Sequence, residues 1–515
     1  MTRSHHEVII VGAGHNGLVC AAYLARAGLD VLVLERRSII GGCAVTEPLA
    51  EGFRAPTLAH AVGLLDASLI EELGLTERGL TMLVPDPAMA VMFGPHDGLV
   101  HWGDLSRTFA GAPWATAHDQ DEYQRLLDWI DRGASVVRRS FLCPPPTPAW
   151  WHNELAAAGL AYEDVFTRSI TAVLDRFHCD ERLKTHLAAL GGNMSAAGPD
   201  TPGTAFNLFR LCAAEVNNLP GAWGFVRGGT GALSEALARA ATEAGATLRT
   251  DAPVSAIRTT AGRATGVTLR NGEMLSSDLV VSTADPWSTL LDLVPPADLP
   301  PQLRDRLQTT RPRGASMKIL LALRGAPHLP LAGQDAPPAF VLIAPSIDYI
   351  RRAWQDAQRQ EPSEAPLLEC ALPSVVDPTL APEGQHVMSI HVQWTPHTLA
   401  SDTWSTRAET YADHVLAYLD RYMPGLSDQV LARRVLTPPQ IAATFGSTGG
   451  QCEHGDMILG PRLASLTEHA NGPYGSPIEG LYLGGAGTHP GGTISGAPGH
   501  NAAAQILGSP RSASD

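Results

Sequence analysis

Three glycines and one acid near the start of the chain have the spacing of a dinucleotide-binding turn. Gly12, Gly14 and Gly17 follow a short apolar run, and Glu35 ends a second one. Gly12 permits a tight turn, Gly14 lets the backbone approach a pyrophosphate, and Gly17 lets the next helix pack closely. The carboxylate of Glu35 can accept two hydrogen bonds from a ribose. We therefore predict that this loop binds a dinucleotide with an unphosphorylated adenosine ribose.

The elements around this loop are those that a nucleotide-binding unit requires. Val8–Val11 is a short apolar run that predicts a buried parallel strand. An alanine-rich helical stretch covers Leu18–Ala27 and ends at Gly28. A second apolar run, Val31–Leu34, predicts the next buried strand. Strand, glycine turn, helix and strand thus follow one another in the order that positions a dinucleotide.

Composition and charge exclude several classes of function. The 515 residues include 37 basic and 52 acidic side chains, and the net charge of −15 argues against a nucleic-acid partner. The seven cysteines include no CxxC pair, so a dithiol reductase and a zinc knuckle are not expected. No signal peptide or membrane span is evident, which predicts a cytoplasmic protein. A peripheral membrane contact through a local apolar patch stays open.

The residues that follow Glu35 favour FAD over NAD. Gly41 and Gly42 complete a stretch that resembles the ExxxxxGG signature of FAD enzymes of the glutathione-reductase class. Trp223–Leu233 resembles the WxFPRGGTGAL segment of bacterial phytoene desaturases, and Gly485–Gly491 matches the GAGTHPG of that family. The chain therefore resembles the phytoene desaturase-related FAD-dependent oxidoreductases.

Two other segments indicate a side branch of that family. His15–Leu18 and Gly496–Ala503 are similar to phytoene dehydrogenase-like proteins that carry the name pyridine nucleotide-disulfide oxidoreductase domain. Cys43 stands where true phytoene desaturases have arginine, so we do not expect a carotenoid substrate. A non-enzymatic alternative is a protein like the Rab GDP-dissociation inhibitors, which keep this fold to bind prenylated partners.

The resemblance implies a non-covalently bound FAD. The residues that would contact it, by their match to the family, are Gly12, Gly14, Gly17, Glu35, Arg36, Gly42, Val254, Gly487 and Thr493. Val254 would contact the adenine through its backbone. The N-terminus of the last helix would lie near the pyrimidine end of the flavin, where its positive dipole stabilises negative charge.

Lys318 is the first candidate for a catalytic residue. It lies in an apolar stretch that predicts a strand, and alternation places it on one face with Ser316, Leu320 and Ala322. The pattern is similar to the strand of flavin amine oxidases whose lysine holds a water at flavin N5. An ammonium there would promote reaction with O2, and burial would lower the lysine pKa so that it could act as a base. The alternative is a lysine on an edge strand that prevents aggregation.

Histidines and aromatic residues supply the other candidates. His60, His454 and His489 lie in segments that should approach the flavin, as catalytic groups or as structural ones. Trp223 and Phe225 should pack against the flavin ring or the wall of the substrate pocket. His391 is a further candidate for this pocket because it lies on the polar face of its strand, and the alternative is that this face is exposed to solvent. Glu453, His454 and Asp456 resemble a metal cluster or a solvated turn, and we predict no metal.

The predicted fold class is α/β. A Rossmann-type FAD-binding domain of the glutathione-reductase and amine-oxidase type would be made of three chain segments, interleaved with an α+β substrate domain. The predicted FAD segments are 1–104, 216–290 and 466–508; the substrate segments are 105–215, mostly helical, and 291–465, a sheet with helices; and 509–515 is a disordered tail.

The predicted function is FAD-dependent oxidation of a largely apolar small molecule. A hydride would pass from a substrate carbon to flavin N5, and O2 or a quinone would accept the electrons. Desaturation, amine oxidation and alcohol oxidation are not separable from the sequence, since the flavin performs the difficult step in each and the protein positions the substrate. The resemblance favours desaturation-type chemistry.

Overall fold

The computed structural model describes residues 5–312, 314, 316–331, 337–456 and 472–509. The strands, numbered in chain order, are β1 His5–Val11, β2 Val31–Leu34, β3 Thr46–Ala50, β4 Phe53–Pro56, β5 Met82–Leu83, β6 Met89–Gly94, β7 Asp97–His101, β8 Glu215–Val216, β9 Leu219–Pro220, β10 Phe225–Val226, β11 Thr247–Arg249, β12 Val254–Thr260, β13 Arg263–Leu269, β14 Met274–Ser282, β15 Ser316–Leu323, β16 Phe340–Ile343, β17 Leu368–Ala371, β18 His386–Gln393, β19 Val430–Leu436 and β20 Leu481–Leu483.

The helices that position the site are numbered in the same way. They are α1 His15–Arg26, α2 Ala67–Glu72, α3 Leu105–Ala110, α4 Ala117–Arg139, α5 Pro148–Ala157, α6 Tyr162–Phe166, α7 Ile170–Leu174, α8 Glu181–Gly192, α9 Ala205–Cys212, α10 Thr230–Glu243, α11 Pro301–Thr309, α12 Ile347–Gln358, α13 Trp404–Leu419, α14 Leu426–Gln429, α15 Pro438–Phe445 and α16 Ala497–Ile506.

The first sheet has the strand order β11-β2-β1-β14-β13-β12, and β20 pairs with the end of β14. β2 and β14 run parallel to β1, β11 runs parallel to β2, and β20 runs parallel to β14. β13 runs antiparallel to both β14 and β12. The Val8–Val11 part of β1 is apolar on both faces because both are covered: Ile10 packs in the core that includes α1 and α10, and Ile9 packs with Trp287 and Leu307. The predicted α/β fold class is confirmed.

Three distant parts of the chain form this sheet. Val11 on β1 pairs with Ser282 on β14, and Val281 on β14 pairs with Tyr482 on β20. Gly499 on α16 lies so close to α1 that an added Cβ would be 1.9 Å from the Asn16 carbonyl oxygen. The C-terminal segment is therefore packed directly against the N-terminal nucleotide-binding unit.

The second sheet has the strand order β19-β15-β18-β17-β16-β6-β7. One face carries Met317, Ile319 and Leu321 and packs against Tyr411 and Val415 of α13. All eight residues of β15 are buried, because β15 lies between β18 and β19. The expectation that Lys318 is an edge-strand lysine is therefore wrong.

Residues 89–101 also belong to the second sheet. The predicted boundary at 104 assigns them to the first FAD segment, whereas β6 pairs in parallel with β16 and in antiparallel with β7. The apolar residues Ala90 and Met92 of β6 are buried in the core of the second sheet, which explains the pairing. The substrate sheet thus takes strands from two separated parts of the chain, residues 89–101 and 316–436.

Helices α4 to α9 form a layer with its own apolar core, built around Leu126, Trp129 and Phe209. The predicted helical character of 105–215 agrees with this layer. None of the helices within the described ranges combines the length and the apolar character needed to cross a membrane. Of the predicted tail, only residue 509 is described, and 466–471 in the predicted third FAD segment also lie outside the described residues.

Candidate functional site

A cavity of about 1080 Å³ is lined by both sheets and by the helical layer. One part of its wall is the glycine loop after β1, with Gly12 and Gly14. Another part consists of polar residues of the second sheet, among them Lys318. Most of the predicted site residues thus line one continuous space.

The glycine loop has the shape that a phosphate group requires. Gly12 has φ +102°, and an added Cβ would lie 2.7 Å from the Thr283 hydroxyl. Gly14 caps α1 without a side-chain hydrogen bond, which leaves first-turn N–H groups available to phosphate oxygens. Gly17 does not line the cavity; an added Cβ would lie 2.1 Å from the Gly12 carbonyl oxygen, so this glycine shapes the loop from behind.

Glu35 is buried at the end of β2 and lines the cavity. Its carboxylate accepts hydrogen bonds from the backbone N–H groups of Ala13, at 3.0 Å, and Arg37, at 2.9 Å. Each carboxylate oxygen has a second lone pair, which leaves capacity for two ribose hydroxyls. The N–H of Ala252 donates to the Glu35 carbonyl, and this bond brings the segment before Val254 to the same end of the cavity.

The second group of polar residues is a hydrogen-bonded chain of three side chains. Lys318 Nζ lies 2.7 Å from His60 Nδ1, and His60 Nε2 lies 3.1 Å from Glu369 Oε1. Because the lysine ammonium and the carboxylate can respectively only donate and only accept, Nδ1 accepts from Lys318 and Nε2–H donates to Glu369. These contacts fix the neutral His60 in its Nε2–H tautomer.

Strand register brings this cluster together. Lys318 on β15 is directly opposite His391 on β18, and His391 is opposite Glu369 on β17. The three side chains therefore lie side by side across adjacent strands. His60 reaches them from the segment after β4, and Asn193 donates to the other Glu369 oxygen at 3.3 Å.

Burial and charge set the protonation states of the cluster. Burial lowers the pKa of Lys318 to about 8, against the opposing effect of Glu369. Burial, and then the Lys318 charge, lower the pKa of His391 to about 4 and also lower that of His60. Burial acts to raise the pKa of Glu369, but its hydrogen bond from His60 and the positive charge of Lys318 favour the carboxylate, and the pKa lies below its usual value. Near neutral pH the cluster therefore holds one ammonium, one carboxylate and two neutral imidazoles.

The chain resembles known flavoenzymes over almost its whole length. The profile of the family described as flavin containing amine oxidoreductase matches residues 17–507. The chain belongs to the flavin containing amine oxidoreductases. Mouse pyridine nucleotide-disulfide oxidoreductase domain-containing protein 2 is 33% identical, over 97% of this chain and 93% of the relative. The lycopene-forming phytoene desaturase of Pantoea ananas is 27% identical, over 95% and 96%.

Solved structures give the same fold. Putrescine oxidase with bound putrescine aligns with a TM-score of 0.65 at 17% identity and covers 98% of this chain and 99% of its own. The present protein, as a member of this family, is an FAD-dependent oxidoreductase. The predicted cofactor and the predicted enzyme class are therefore confirmed. The alternative of a non-enzymatic prenyl-binding protein is not retained.

Buried polar atoms along the cavity fit an FAD molecule. Four of them have no hydrogen-bond partner among the described residues: His15 Nε2, Asn16 Oδ1, His454 Nδ1 and Thr493 Oγ1. All four residues line the cavity. Since buried polar atoms normally have partners, a polar ligand along this wall accounts for them. The glycine loop and Glu35 would hold the dinucleotide, and FAD supplies a hydride acceptor when it is bound.

The other residues predicted to contact FAD take two kinds of position. Arg36, Gly42 and Val254 line the cavity. Gly42 has φ +57° and an added Cβ would lie 3.1 Å from the Gly14 Cα, so the double glycine lies against the phosphate loop. Gly487 does not line the cavity. An added Cβ there would lie 2.3 Å from Pro286 Cδ, and the residue therefore serves close packing.

Not every predicted catalytic or substrate residue reaches the cavity. His454, His391 and Trp223 line it, whereas His489 and Phe225 do not. His489 is half-buried, and its Nε2 lies 2.6 Å from the Ser140 carbonyl oxygen, to which it donates. Phe225 stacks on Phe340 behind the wall. These two assignments to the site are therefore wrong, because both side chains are used in packing.

Glu453 and Asp456 have structural partners. Glu453 is 4% exposed and accepts a hydrogen bond from Arg210, which is 1% exposed, at 3.2 Å. Asp456 accepts hydrogen bonds from the Ser195 hydroxyl and the Ala196 N–H. The interpretation of a solvated turn is therefore wrong for Glu453, which forms a buried ion pair beside the cavity.

Glu369, Asn193 and Arg210 are not among the residues predicted from the sequence. Each lies in a largely apolar segment, where a single polar residue gives no motif. The signal that could have found Glu369 is its place on a short apolar strand, because a charged residue at a buried strand position needs a partner.

Proposed function

We propose that this enzyme oxidises a carbon of a largely apolar small molecule and passes the electrons to O2. The observation that carries the proposal is the single cavity that joins the glycine loop to the Lys318 cluster. A dinucleotide on the loop and a substrate beside the cluster would share this space, which direct transfer requires.

The wall around the cluster favours a lipophilic substrate. It includes apolar side chains from the helical layer and the second sheet: Met89, Leu127, Ile130, Leu187, Leu190, Leu211 and Phe340. Burial of apolar substrate surface there contributes roughly 25 cal/mol per Å². The same wall excludes water from the reacting atoms, which strengthens electrostatic interactions with the cluster.

The positive charge of Lys318 favours O2 as the electron acceptor. Reduction of O2 develops negative charge, and a buried ammonium that lines the same cavity stabilises it. The Lys318 contact with His60 keeps the ammonium in a fixed position during this step.

Anaerobic reduction of the bound flavin tests the proposal. The purified protein should be yellow, release FAD on denaturation, and lose its visible absorbance with at least one lipophilic compound of a broad panel. Air should then restore the absorbance quickly. Rapid reduction by NADPH alone would instead indicate a saturase or a monooxygenase, and a colourless protein that FAD cannot reconstitute would remove the proposal altogether.

A further inference from the structure

One cluster of polar side chains from the second sheet and the segment after β4 lines the cavity. Lys318, His60, Glu369 and His391 lie together there, and the Ser389 hydroxyl is 3.5 Å from His60 Nδ1. The wall on the side of the helical layer is largely apolar. A molecule that matches both surfaces is lipophilic and carries one small polar group.

The charges of the cluster exclude most kinds of polar group. The ammonium of Lys318 is balanced by the carboxylate of Glu369, and the two histidines are neutral, so the net charge is zero. A substrate ammonium would meet Lys318, and a substrate carboxylate would meet Glu369, with no net attraction to offset desolvation. A neutral hydrogen-bonding group fits best.

A pure hydrocarbon is disfavoured for a different reason. Among the described residues, the one hydrogen bond of Lys318 Nζ is to His60, and the side chain is 1% exposed. An apolar group placed against Nζ would leave its remaining N–H groups without partners, which costs free energy in a buried site. The oxygen of a hydroxyl group would satisfy one of them.

We propose that the substrate is a lipophilic alcohol, and that Lys318 accepts its hydroxyl proton while the carbon is oxidised to a carbonyl. This inference rests on the proposed function. The O–H bond breaks and its proton goes to the lysine amine. The C–H bond breaks, its hydrogen leaves with both bonding electrons as a hydride, and a C=O bond forms. The bound flavin is the oxidant that takes the two electrons, and neither water nor another reductant is consumed.

The contacts of Lys318 suit this role. A neutral amine keeps two N–H groups and has one lone pair. The hydrogen bond to His60 Nδ1 uses one N–H and limits rotation of the amine, so the lone pair can point at the hydroxyl proton. His60 is held in turn by Glu369, which makes Glu369 a positioning residue.

The pH dependence follows from the groups that face Lys318. They are His60 from the segment after β4, Glu369 and Cys370 from β17, His391 from β18, and Cys452 from the segment after α15. Glu369 raises the lysine pKa, against burial, which lowers it to about 8. The neutral base is therefore scarce below pH 8. The rate of flavin reduction should rise about tenfold per pH unit up to that value and then level off.

Matched substrates test the substrate class. Linear, terpenoid and steroidal trios, each a hydrocarbon, an alcohol and a primary amine of one skeleton, are mixed anaerobically with the FAD-loaded enzyme. We expect at least one alcohol to bleach the flavin ~10-fold faster than its hydrocarbon and its amine, with one carbonyl formed per flavin reduced. Faster bleaching by a hydrocarbon or an amine overturns the inference but leaves the proposed function intact. The same conclusion follows if no alcohol bleaches the flavin. Absence of bound FAD counts against the proposed function itself.

Glu369→Gln tests the cluster, because the amide oxygen can still accept from His60 while the charge is lost. In the pH profile of the flavin-reduction rate, the rising limb should move to lower pH by about one unit or more, because the charge that raises the lysine pKa is lost. Lys318→Met should abolish this limb. Glu361→Gln, on an exposed residue paired with Arg359, is the control and should not move the limb. Nitrogen-15 histidine spectra without substrate should show the Nε2–H tautomer of His60 in the unsubstituted protein. A limb that stays in place in Glu369→Gln, or an Nδ1–H tautomer, overturns the assignment.

Discussion

Lys318 Nζ and His60 Nδ1 are 2.7 Å apart, although 258 positions separate the two residues in the chain. The lysine lies on β15, the second strand of the second sheet, with β18 on one side and β19 on the other. The histidine comes from the segment that follows the hairpin of β3 and β4. This side of the cavity therefore depends on contact between the first and the second half of the chain.

Replacement of this lysine should slow reaction with O2. In Lys318→Met the buried positive charge is lost, while a side chain of similar length fills the space. With FAD content held equal, reoxidation of the reduced flavin by O2 should slow by at least ~10-fold, which corresponds to ~1.4 kcal/mol of barrier. Stopped-flow absorbance measures it. An unchanged rate would show that the O2 step does not use this charge.

His489 should matter for stability and not for chemistry. In His489→Ala the hydrogen bond to the Ser140 carbonyl is lost, and a buried acceptor is left without its partner. We expect the free energy of unfolding to fall by about 1–3 kcal/mol. Flavin reduction at saturating substrate should keep its rate and its pH profile, since the side chain lies outside the cavity. A shifted pH profile would contradict this placement.

Glu35 should contribute directly to FAD affinity. In Glu35→Ala the N–H groups of Ala13 and Arg37 lose their acceptor and the ribose loses two hydrogen bonds. The FAD dissociation constant should rise by at least ~10-fold, or ~1.4 kcal/mol. Flavin fluorescence on titration of the apoprotein gives the constant. Glu51→Ala, on an exposed residue of the same segment, is the control and should bind FAD normally.

The nucleotide-binding unit could be predicted from the sequence because its determinants are local. Strand, loop, helix and acid lie within about 30 residues, and each glycine has a geometric reason that holds in any chain. The same holds for the alternation of β15, which correctly separates Met317 and Ile319 from Lys318. Local pattern thus identifies which face a residue occupies.

The partners of Lys318 could not be predicted in this way. Glu369 lies on β17, which is separated from the strand of Lys318 by β18. The local sequence pattern of a strand does not determine the order of strands in the sheet. His489 shows the converse, since it lies in the most recognisable segment of the chain and yet points to the Ser140 carbonyl. A motif fixes the backbone path, but the direction of a side chain depends on packing with remote segments.

The buried ion pair of Arg210 and Glu453 should make stability depend on pH when it is broken. Burial raises the pKa of Glu453, and Arg210 opposes that effect. In Arg210→Met the pKa should rise further. The folded state then binds a proton that the unfolded state has released, so stability falls as pH rises above the ordinary glutamate value. The loss should be about 3–5 kcal/mol at pH 8 and smaller at pH 5.

Denaturant unfolding at the two pH values measures this difference. Arg249→Met is the matched control, because its partner Glu273 lies at the surface and such pairs contribute about 0–1 kcal/mol. The control should show little change between pH 5 and pH 8. An Arg210→Met loss that is equal at the two pH values would mean that Glu453 stays ionised without its arginine.

The parallel pairing of β1 with β14 has a consequence for synthesis on the ribosome. The Thr283 hydroxyl donates to the Val11 carbonyl across a separation of 272 residues. At about 5–20 residues per second, that edge of β1 emerges roughly 14–54 s before its neighbouring strand exists. During this interval the nascent chain exposes an apolar strand with unpaired backbone groups. Such a surface is of the kind that chaperones bind, and it aggregates when it is not covered.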